Sequence, residues 1–427
     1  MSAAFPALDW VHTANIYEVN LRQYTREGTF DAFCREMPRL RDMGIDVLWF
    51  MPITPISVAR RLGTLGSYYA CSDYTSTNPE FGSVDDFKRL VAEAHGLGLK
   101  VMIDWVANHT GWDHKWTTGH PEYYRKNADG AFFDSHGWED VIDLNYDSSL
   151  LRQAMIDAMM FWVSECDIDG FRCDMAMLVP LDFWRTARTQ VDNVKKLFWL
   201  AECEEINYHD VFDASYTWKF LHRMEAVWKR EFAADGLDEV LQYYDRMFPA
   251  DGFRTYFTSN HDENSHSGSE YERLGDAARA FAVLCCTWNG LPLIYSGQEL
   301  PNTKRLLFFD KDYIPWTGTC QLHEFYKALL SLRKSNPALR TADPTVTTHR
   351  LHSNGLDDRC FVFLRRKDDD EVLVALNLST DPVLLPAADL LLHGSFRNIF
   401  TGEVADLTGM PPVLEAWGYA VLEKKKG

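Results

Sequence analysis

The 427-residue sequence lacks several features that would place it in common protein classes. It has no uninterrupted apolar run long enough to span a bilayer, so no transmembrane segment is predicted. Residues 1–10 contain no basic segment followed by an apolar stretch, and we therefore expect no secretory signal peptide. The nine cysteines are scattered, without Cys-x-x-Cys spacing, which favours reduced thiols and a cytoplasmic location.

Basic residues are also scarce relative to acidic ones. The 43 Lys and Arg residues against 62 Asp and Glu residues give a net charge of −19. This balance disfavours nucleic acid or an anionic membrane as a partner and suits a neutral ligand. Aromatic residues, in contrast, make up 14% of the chain and include 14 tryptophans. Those outside the core suit stacking against sugar rings.

Apolar strand-like runs alternate with helical patterns between residues 15 and 340. Helical patterns include 83–95, which opens on the capping signal Ser83-x-x-Asp86, and also 150–163 and 323–334. Pro38 interrupts a helical stripe at 29–43, where we expect a kink or a restart. The alternation predicts βαβ units and a parallel sheet. The predicted strands are 15–20, 46–51, 99–106, 169–174, 197–202, 254–260 and 291–296, with a weaker candidate at 211–216.

The alternation lapses in two places. Residues 110–147 are rich in Trp, His, Gly, Asn and Asp and are long for a loop between a strand and a helix. From about residue 341 the pattern changes to short alternating runs at 360–364, 372–378, 395–400 and 419–422. These runs predict a small antiparallel β domain that packs on the preceding one.

Polar residues of types that can take part in catalysis follow four of the predicted strands. Arg172 and Asp174 end the fourth strand, and because residues i and i+2 of a strand share a face, they should project together. The arginine is expected to keep the carboxylate ionised. Alone, such a pair would suit a surface ion pair. However, polar groups at the carboxyl ends of successive parallel strands are typical of the active-site face of a (β/α)8 barrel.

Taken in order, the four segments read D-x-x-x-N-H, G-F-R-x-D, a strand-ending Glu, and N-H-D. In this order they resemble the α-amylase family (glycoside hydrolase family 13) of retaining glycoside hydrolases and transglycosylases. The resemblance runs from about Asn15 to the C-terminus and implies an α/β fold. It implies a (β/α)8 TIM barrel formed by residues 1–109 and 148–340, a short domain inserted at 110–147 after strand 3, and a C-terminal β-sandwich domain at 341–427.

The resemblance also implies three catalytic carboxylates. Asp174 matches the family nucleophile, Glu202 the acid/base, and Asp262 the third carboxylate, which favours the distorted transition state. Retention requires the first two carboxyl groups about 5–5.5 Å apart, a spacing that neighbouring strands provide. Taken alone, Glu202 would suit a helix N-cap better than a catalytic acid, since Glu204 and Glu205 follow closely.

Five further residues are implied to bind or surround the substrate. Tyr69 matches the tyrosine that stacks under the cleaved sugar, although Tyr68 is a neighbouring alternative. The remaining four are His109 and His261, which hydrogen-bond the sugar, Arg172, which orients the nucleophile, and Asp104, its partner. The histidine spacing does not match that of zinc ligands.

No cofactor is implied for the chemistry, but a structural calcium ion is considered. Asn108 matches a calcium ligand of the family, and its partner is one of Asp134, Asp140 and Asp143. Oxygen ligands suit Ca²⁺. The alternative is that Asn108 ties the loop by hydrogen bonds.

The sequence departs from the family pattern directly after the nucleophile. Where family amylases often have Ala-x-Lys-His, residues 175–178 read Met-Ala-Met-Leu. Acceptor-side contacts must therefore differ, which leaves two activities open. One is hydrolysis of α-1,4 bonds in maltooligosaccharides or starch, and the other is glycosyl transfer or isomerisation with the same acids.

Two further alternatives are disfavoured by the residues present. A non-catalytic relative would have lost a carboxylate, and all three are present. A barrel enzyme for sugar phosphates would need a Gly-rich loop after strands 7 and 8, which residues 295–299 do not resemble. We expect an enzyme whose partner is an α-glucan, and the sequence indicates no oligomeric state.

Overall fold

A computed structural model describes residues 5–352, 355–385, 395–406 and 413–424. Its centre is a closed barrel in which each parallel strand pairs with the next along the chain and the last pairs with the first. The predicted (β/α)8 barrel is confirmed, including the weakly signalled sixth strand. The strands are β1 (Ile16–Val19), β2 (Val47–Phe50), β3 (Lys100–Trp105), β4 (Gly170–Cys173), β5 (Phe198–Ala201), β6 (Ala214–Tyr216), β7 (Phe253–Tyr256) and β8 (Leu291–Tyr295).

Helices surround this barrel, and their ends follow local sequence signals. Ser83 Oγ accepts the Asp86 N–H while Asp86 Oδ2 accepts the Ser83 N–H, so the predicted capping box is formed. The helical stripe at 29–43 divides into two helices, and Pro38 lies in the first turn of the second, as expected. The main helices are Phe30–Cys34, Met37–Met43, Val84–Gly96, Ser149–Cys166, Leu181–Val191, Trp218–Trp228, Gly236–Met247, Ala278–Thr287 and His323–Ser335. Among the described residues, none of the helices has the length and apolar character needed to cross a membrane.

The inserted segment begins and ends on a small antiparallel ladder beside the barrel. His109–Gly111 pairs with Val141–Asp143, and His109 is opposite Asp143. The ladder follows β3 directly, so it lies at the carboxyl end of the barrel strands. The residues between its two strands form the side wall of the cleft described below.

The C-terminal residues form an antiparallel sheet, as predicted. Its strands are β9 (Thr347–Leu351), β10 (Cys360–Lys367), β11 (Asp370–Asn377), β12 (Ser395–Asn398), β13 (Val404–Asp406) and β14 (Tyr419–Lys424), in the order β9-β10-β11-β14-β12-β13. A second, two-stranded sheet pairs Val383–Leu384 with Val413–Leu414. The domain limits 341–427 remain a prediction, since 353–354, 386–394, 407–412 and 425–427 lie outside the described residues, as do residues 1–4 of the barrel.

Alternate side chains of β10 belong to two different cores. Phe361 and Phe363 join the core that is continuous with the barrel, where Phe363 contacts Trp288 at a ring-centroid distance of 4.8 Å. Val362 and Leu364 point the other way and pack with Val383 of the two-stranded sheet. Successive side chains of a β-strand point to opposite faces, so one face of the C-terminal sheet packs on the barrel and the other is covered by the two-stranded sheet.

Candidate active site

Strand register brings the predicted residues of β3, β4 and β5 together. Asp104 of β3 is directly opposite Arg172 of β4. Asp174 and Glu202 each follow the last residue of their strand, and the ladder continues through them, because the Glu202 N–H donates to the Cys173 carbonyl at 3.0 Å. The two carboxylates therefore lie on neighbouring strand ends, at the carboxyl edge of the barrel.

A single buried guanidinium connects three carboxylates on the floor of the site. Arg172 Nη1 donates to both Asp104 oxygens at 2.8 and 3.0 Å and to Asp174 Oδ1 at 3.0 Å. Its Nη2 forms an ion pair with Glu202 Oε2 at 3.0 Å, and its Nε donates to the Tyr216 hydroxyl at 3.2 Å. The Arg172 side chain has no solvent exposure. This fully desolvated cation fixes the positions of the three acids relative to one another.

The charge state of Asp174 differs from the sequence-based expectation. Burial, followed by the charge of Glu202, raises the pKa of Asp174 well above its usual range, and the attraction of Arg172 does not reverse this. Arg172 was expected to keep Asp174 ionised on its own, but it is shared with Asp104 and Glu202. The Asp174 carboxyl group therefore retains a proton more tightly than an isolated carboxyl group would.

The third predicted carboxylate, Asp262, faces the same space from β7. Its Oδ2 lies 3.3 Å from His261 Nε2, and its side chain is 40% exposed. His261 Nδ1 contacts Glu18 Oε1 at 2.5 Å, and its Nε2 lies 2.6 Å from the Tyr69 hydroxyl. Burial opposes protonation of His261, but the charges of Asp262 and Glu18 outweigh it and raise the pKa of His261 to about 9. His261 is thus an imidazolium at neutral pH.

Tyr69 is the tyrosine that lines the cleft. Its hydroxyl donates to Asp104 Oδ2 at 3.0 Å, while that of Tyr68 donates to Asn20 at 2.9 Å, behind the cleft surface. Burial raises the pKa of Asp104 to about 6, against the pull of Arg172. The arrangement of Tyr69, Asp104 and His261 agrees with the predicted grouping of these residues.

His109 and Asn108 lie at the edge of this space, beside the inserted segment. Burial lowers the pKa of His109 to about 4, so its ring is neutral at physiological pH. Its Nδ1 lies 3.2 Å from Asn108 Nδ2, and its ring packs against Trp138 at 5.3 Å. His109 lines the cleft as predicted.

The calcium hypothesis is tested by the carboxylates of the inserted segment. Asp134, Asp140 and Asp143 each keep one buried oxygen without a hydrogen-bond partner, and such oxygens are suitable Ca²⁺ ligands. Within the described ranges, however, no three His, Cys, Asp or Glu side chains converge on one metal position. Asn108 itself hydrogen-bonds His109. The donor type fits calcium although the three carboxylates do not converge, and no catalytic step is assigned to a metal.

Several residues of the site carried no assignment in the sequence. Glu18 is a charged residue inside the apolar strand β1, which is the one signal that identifies it. Met175 has left-handed backbone angles (φ 38°, ψ 48°), and its N–H donates to Glu202 Oε2 at 2.8 Å. Phe308 and Phe309 come from a loop after β8, and no periodic pattern marks them.

These groups enclose a cavity of about 540 Å³ at the carboxyl end of the barrel. Asp174, Glu202 and Asp262 all line it. The remaining walls are largely apolar and come from loops, namely Leu62, Trp138, Met175, His266, Phe308 and Phe309. A cavity with three convergent carboxylates and aromatic walls fits a neutral, polyhydroxylated ligand.

Comparison with known proteins is consistent with this geometry. Residues 15–137 and 122–343 match the family model described as the alpha amylase catalytic domain. The alpha-amylase MalA of Haloarcula japonica is 27% identical over 416 residues, which cover 92% of this chain and 60% of that protein. The alpha-1,4-glucan:maltose-1-phosphate maltosyltransferase of Burkholderia pseudomallei is 28% identical over 410 residues, which cover 87% of this chain and 34% of that protein. The chain thus spans less than two thirds of both relatives.

Two solved structures match over nearly their whole length. An alpha-amylase from Lactobacillus plantarum has a TM-score of 0.87 and 29% identity, covering 97% of this chain and 99% of that one. The maltogenic alpha-amylase AmyB from Thermotoga neapolitana, described as noncanonic, has a TM-score of 0.85 and 27% identity, covering 97% of each chain. The fold, the site geometry and the family match agree, and the chain belongs to the α-amylase family.

Proposed function

We propose that the protein is a retaining glycoside hydrolase that cleaves α-1,4-glucosidic bonds of maltooligosaccharides or starch-type glucans. The observation that carries this proposal is the cluster of Asp104, Asp174 and Glu202 around Arg172 on the floor of the cavity. Asp174 and Glu202 follow neighbouring strands, which lie about 4.8 Å apart. That spacing suits the narrower carboxyl separation of a retaining enzyme.

In the proposed mechanism, Asp174 attacks the anomeric carbon while Glu202 protonates the departing glycosidic oxygen. The carbon–oxygen bond breaks, a glycosyl ester forms on Asp174, and the leaving sugar takes the proton of Glu202. Water then gives a proton to Glu202 and displaces Asp174, so two inversions give net retention.

The surrounding residues orient the sugar and balance charge. Arg172 turns an Asp174 oxygen toward the cavity, and Tyr69 presents its ring to the sugar face. His261, Asp262 and His109 offer hydrogen bonds to sugar hydroxyls. Because Asp262 is the most exposed of the three carboxylates, it is the one available to tighten its contacts as the ring distorts.

Glycosyl transfer is the second candidate, and Met175 is the residue that favours it. An apolar side chain next to Glu202 binds water poorly, so a sugar acceptor competes better for the glycosyl ester. Incubation with maltoheptaose distinguishes the two activities, since shorter products alone indicate hydrolysis and longer products indicate transfer. Proton NMR of fresh product must show the α-anomer first, and an initial β-anomer would refute the nucleophilic role of Asp174.

We propose that Asn108 and one carboxylate of the inserted segment bind a structural Ca²⁺ ion. Added Ca²⁺ should then raise the melting temperature, and an unchanged melting temperature would show that no such ion binds.

We propose a cytoplasmic location because all nine cysteines are free. The test is to denature the isolated native protein without reductant and to add a thiol reagent. Cysteines that fail to react would contradict the cytoplasmic location.

A further inference from the structure

A series of contacts connects Glu202, at one end of the site, with Phe308 at the other. Glu202 accepts the Met175 N–H at one end, and Arg172 comes next. Tyr69 and His261 follow through Asp104. If Glu202 protonates the leaving group, as the proposed function requires, the leaving sugar lies at the Met175 end. The retained part of the glucan, the glycone, must then extend toward Phe308.

Three nearly parallel rings form the surface beneath this glycone side. The Tyr69 and Phe308 planes differ by 8° with centroids 6.3 Å apart, and those of His261 and Phe308 differ by 25° at 6.4 Å. Phe308 is half-buried and lines the cavity. Its ring therefore adds a second flat apolar surface next to Tyr69, of the kind that stacks on sugar rings.

Directly after Phe308 in the chain, Phe309 and Asp310 join their loop to the loop of Thr64 and Leu65 by hydrogen bonds. The Leu65 N–H donates to the Phe309 carbonyl at 2.9 Å. Asp310 Oδ1 accepts from the Thr64 N–H at 2.8 Å and from its hydroxyl at 2.6 Å. Leu62 and Phe309 then line the end of the cavity.

Gly63 shows how closely the two loops approach. It has a left-handed φ of 62°, and a Cβ at this position would lie 2.6 Å from Phe309 Cβ and 2.8 Å from the Phe309 carbonyl oxygen. Only glycine permits this approach without displacing the backbone. The joined loops therefore form a fixed wall on the Phe308 side of the cavity.

We infer that the enzyme acts from the non-reducing end of an α-glucan and releases short products, with Phe308 as the stacking surface for the sugar next to the cleaved one. The inference rests on the proposed function and adds to it the mode of cleavage. A closed glycone end admits few sugars beyond the bond that breaks, whereas the acceptor end at Met175 receives the rest of the chain.

The test uses two forms of maltoheptaose, one with a free non-reducing end and one whose terminal 4- and 6-hydroxyls carry an ethylidene group. The free form should be cleaved to short products of one or two sizes, and the blocked form at least about tenfold more slowly. Equal rates, or an early mixture of all product lengths, would overturn the inference. If neither form is cleaved, the proposed function fails first and the inference with it.

Variants of the wall supply the second measurement. Phe308→Ala should raise KM for maltoheptaose about three- to tenfold with a smaller change in kcat, because a stacking contact is lost. It should also bring the rates for free and blocked substrates closer together. Phe308→Tyr keeps the ring and should preserve both values. Leu307→Ala is the matched control, since that neighbouring side chain is 52% exposed and does not line the cavity. An unchanged KM and product pattern in Phe308→Ala would remove Phe308 from this role.

Discussion

The floor of the cleft and its glycone wall are built in different ways. Strand ends supply the floor, where Arg172 is fully buried and binds Asp104 and Asp174 directly. Loops supply the wall, where Phe308 and Phe309 are half-buried and the Phe309 carbonyl accepts the Leu65 N–H. The floor consists of charged groups, whereas the wall determines the shape of the cavity. We therefore expect changes in the floor to affect the rate of bond cleavage and changes in the wall to affect which bond is cleaved.

The largest effect is expected at Asp174, the proposed nucleophile. Asp174→Asn keeps the shape of the floor but removes the attacking group, so kcat should fall by several orders of magnitude while sugar binding survives. The melting temperature should hold or rise, because the raised pKa of Asp174 means that its ionised form destabilises the folded state at neutral pH. Kinetics and calorimetry of the purified variant measure both quantities.

Asp182→Asn is the matched control for this variant, because that carboxylate is exposed on a helix next to the barrel. It should leave kcat unchanged. Activity of Asp174→Asn close to the unmodified value would show that the floor does not work as proposed.

Glu202, the proposed acid/base, should give a smaller effect that depends on the substrate. Glu202→Gln should reduce cleavage of maltoheptaose by roughly 10²–10⁴-fold, since proton donation to the leaving oxygen is lost. With α-maltosyl fluoride, whose leaving group needs no proton, the loss in glycosyl-ester formation should be much smaller. Equal losses on both substrates would indicate a positioning role for Glu202 instead of proton transfer.

Glu18 is expected to influence the pH dependence of kcat/KM through its contact with His261. His261 has a raised pKa of about 9, so its contribution to folding is complete below the unfolded value near 6.5 and is lost as pH rises through about 9. Asp262 and Glu18 raise this pKa, whereas burial and Arg172 lower it. Glu18→Gln should therefore move the alkaline limb of kcat/KM down by about one to two pH units. Glu18→Asp should restore part of the shift, and an unmoved limb in Glu18→Gln would exclude this coupling.

The smallest effect is expected far from both floor and wall. Ser83→Ala removes the hydrogen bond to the Asp86 N–H at the start of the helix Val84–Gly96. The free energy of unfolding should fall by about 1 kcal/mol, and kcat, KM and the product pattern should not change. Chemical denaturation and product analysis measure these values, and an altered product pattern would mean that the wall responds to general stability.

The sequence predicts the floor much better than the wall, for a physical reason. The carboxyl ends of the strands lie at one edge of the barrel, so the four ordered motifs and the resemblance they carry place Asp104, Arg172 and Glu202 there. Phe308 lies in a loop whose path depends on contacts with residues some 240 positions earlier, such as Thr64 with Asp310. Glu18 shows an intermediate case, because a charge in an apolar strand is visible, but its partner is not.

The raised pKa of Asp174 was missed for a similar reason. The sequence places one arginine next to one aspartate, and from that pair an ionised carboxylate follows. The barrel adds Glu202 to the guanidinium that Asp104 was already expected to contact, and it removes the water, and both changes act against ionisation. The pairing of Arg172 with Asp104 was expected from the family resemblance, whereas the contact of Glu202 with the same cation was not.

The two-sided packing of β10 has a consequence for cooperativity. Because Phe363 belongs to the barrel core and Val362 to the second layer, the boundary near residue 341 separates segments of sequence but not independent units of unfolding. A chain cut at this boundary would leave Trp288 facing water where it now contacts Phe363. We therefore expect thermal unfolding of the barrel and the C-terminal sheet to occur as a single transition, so that damage to the distant sheet also inactivates the cleft.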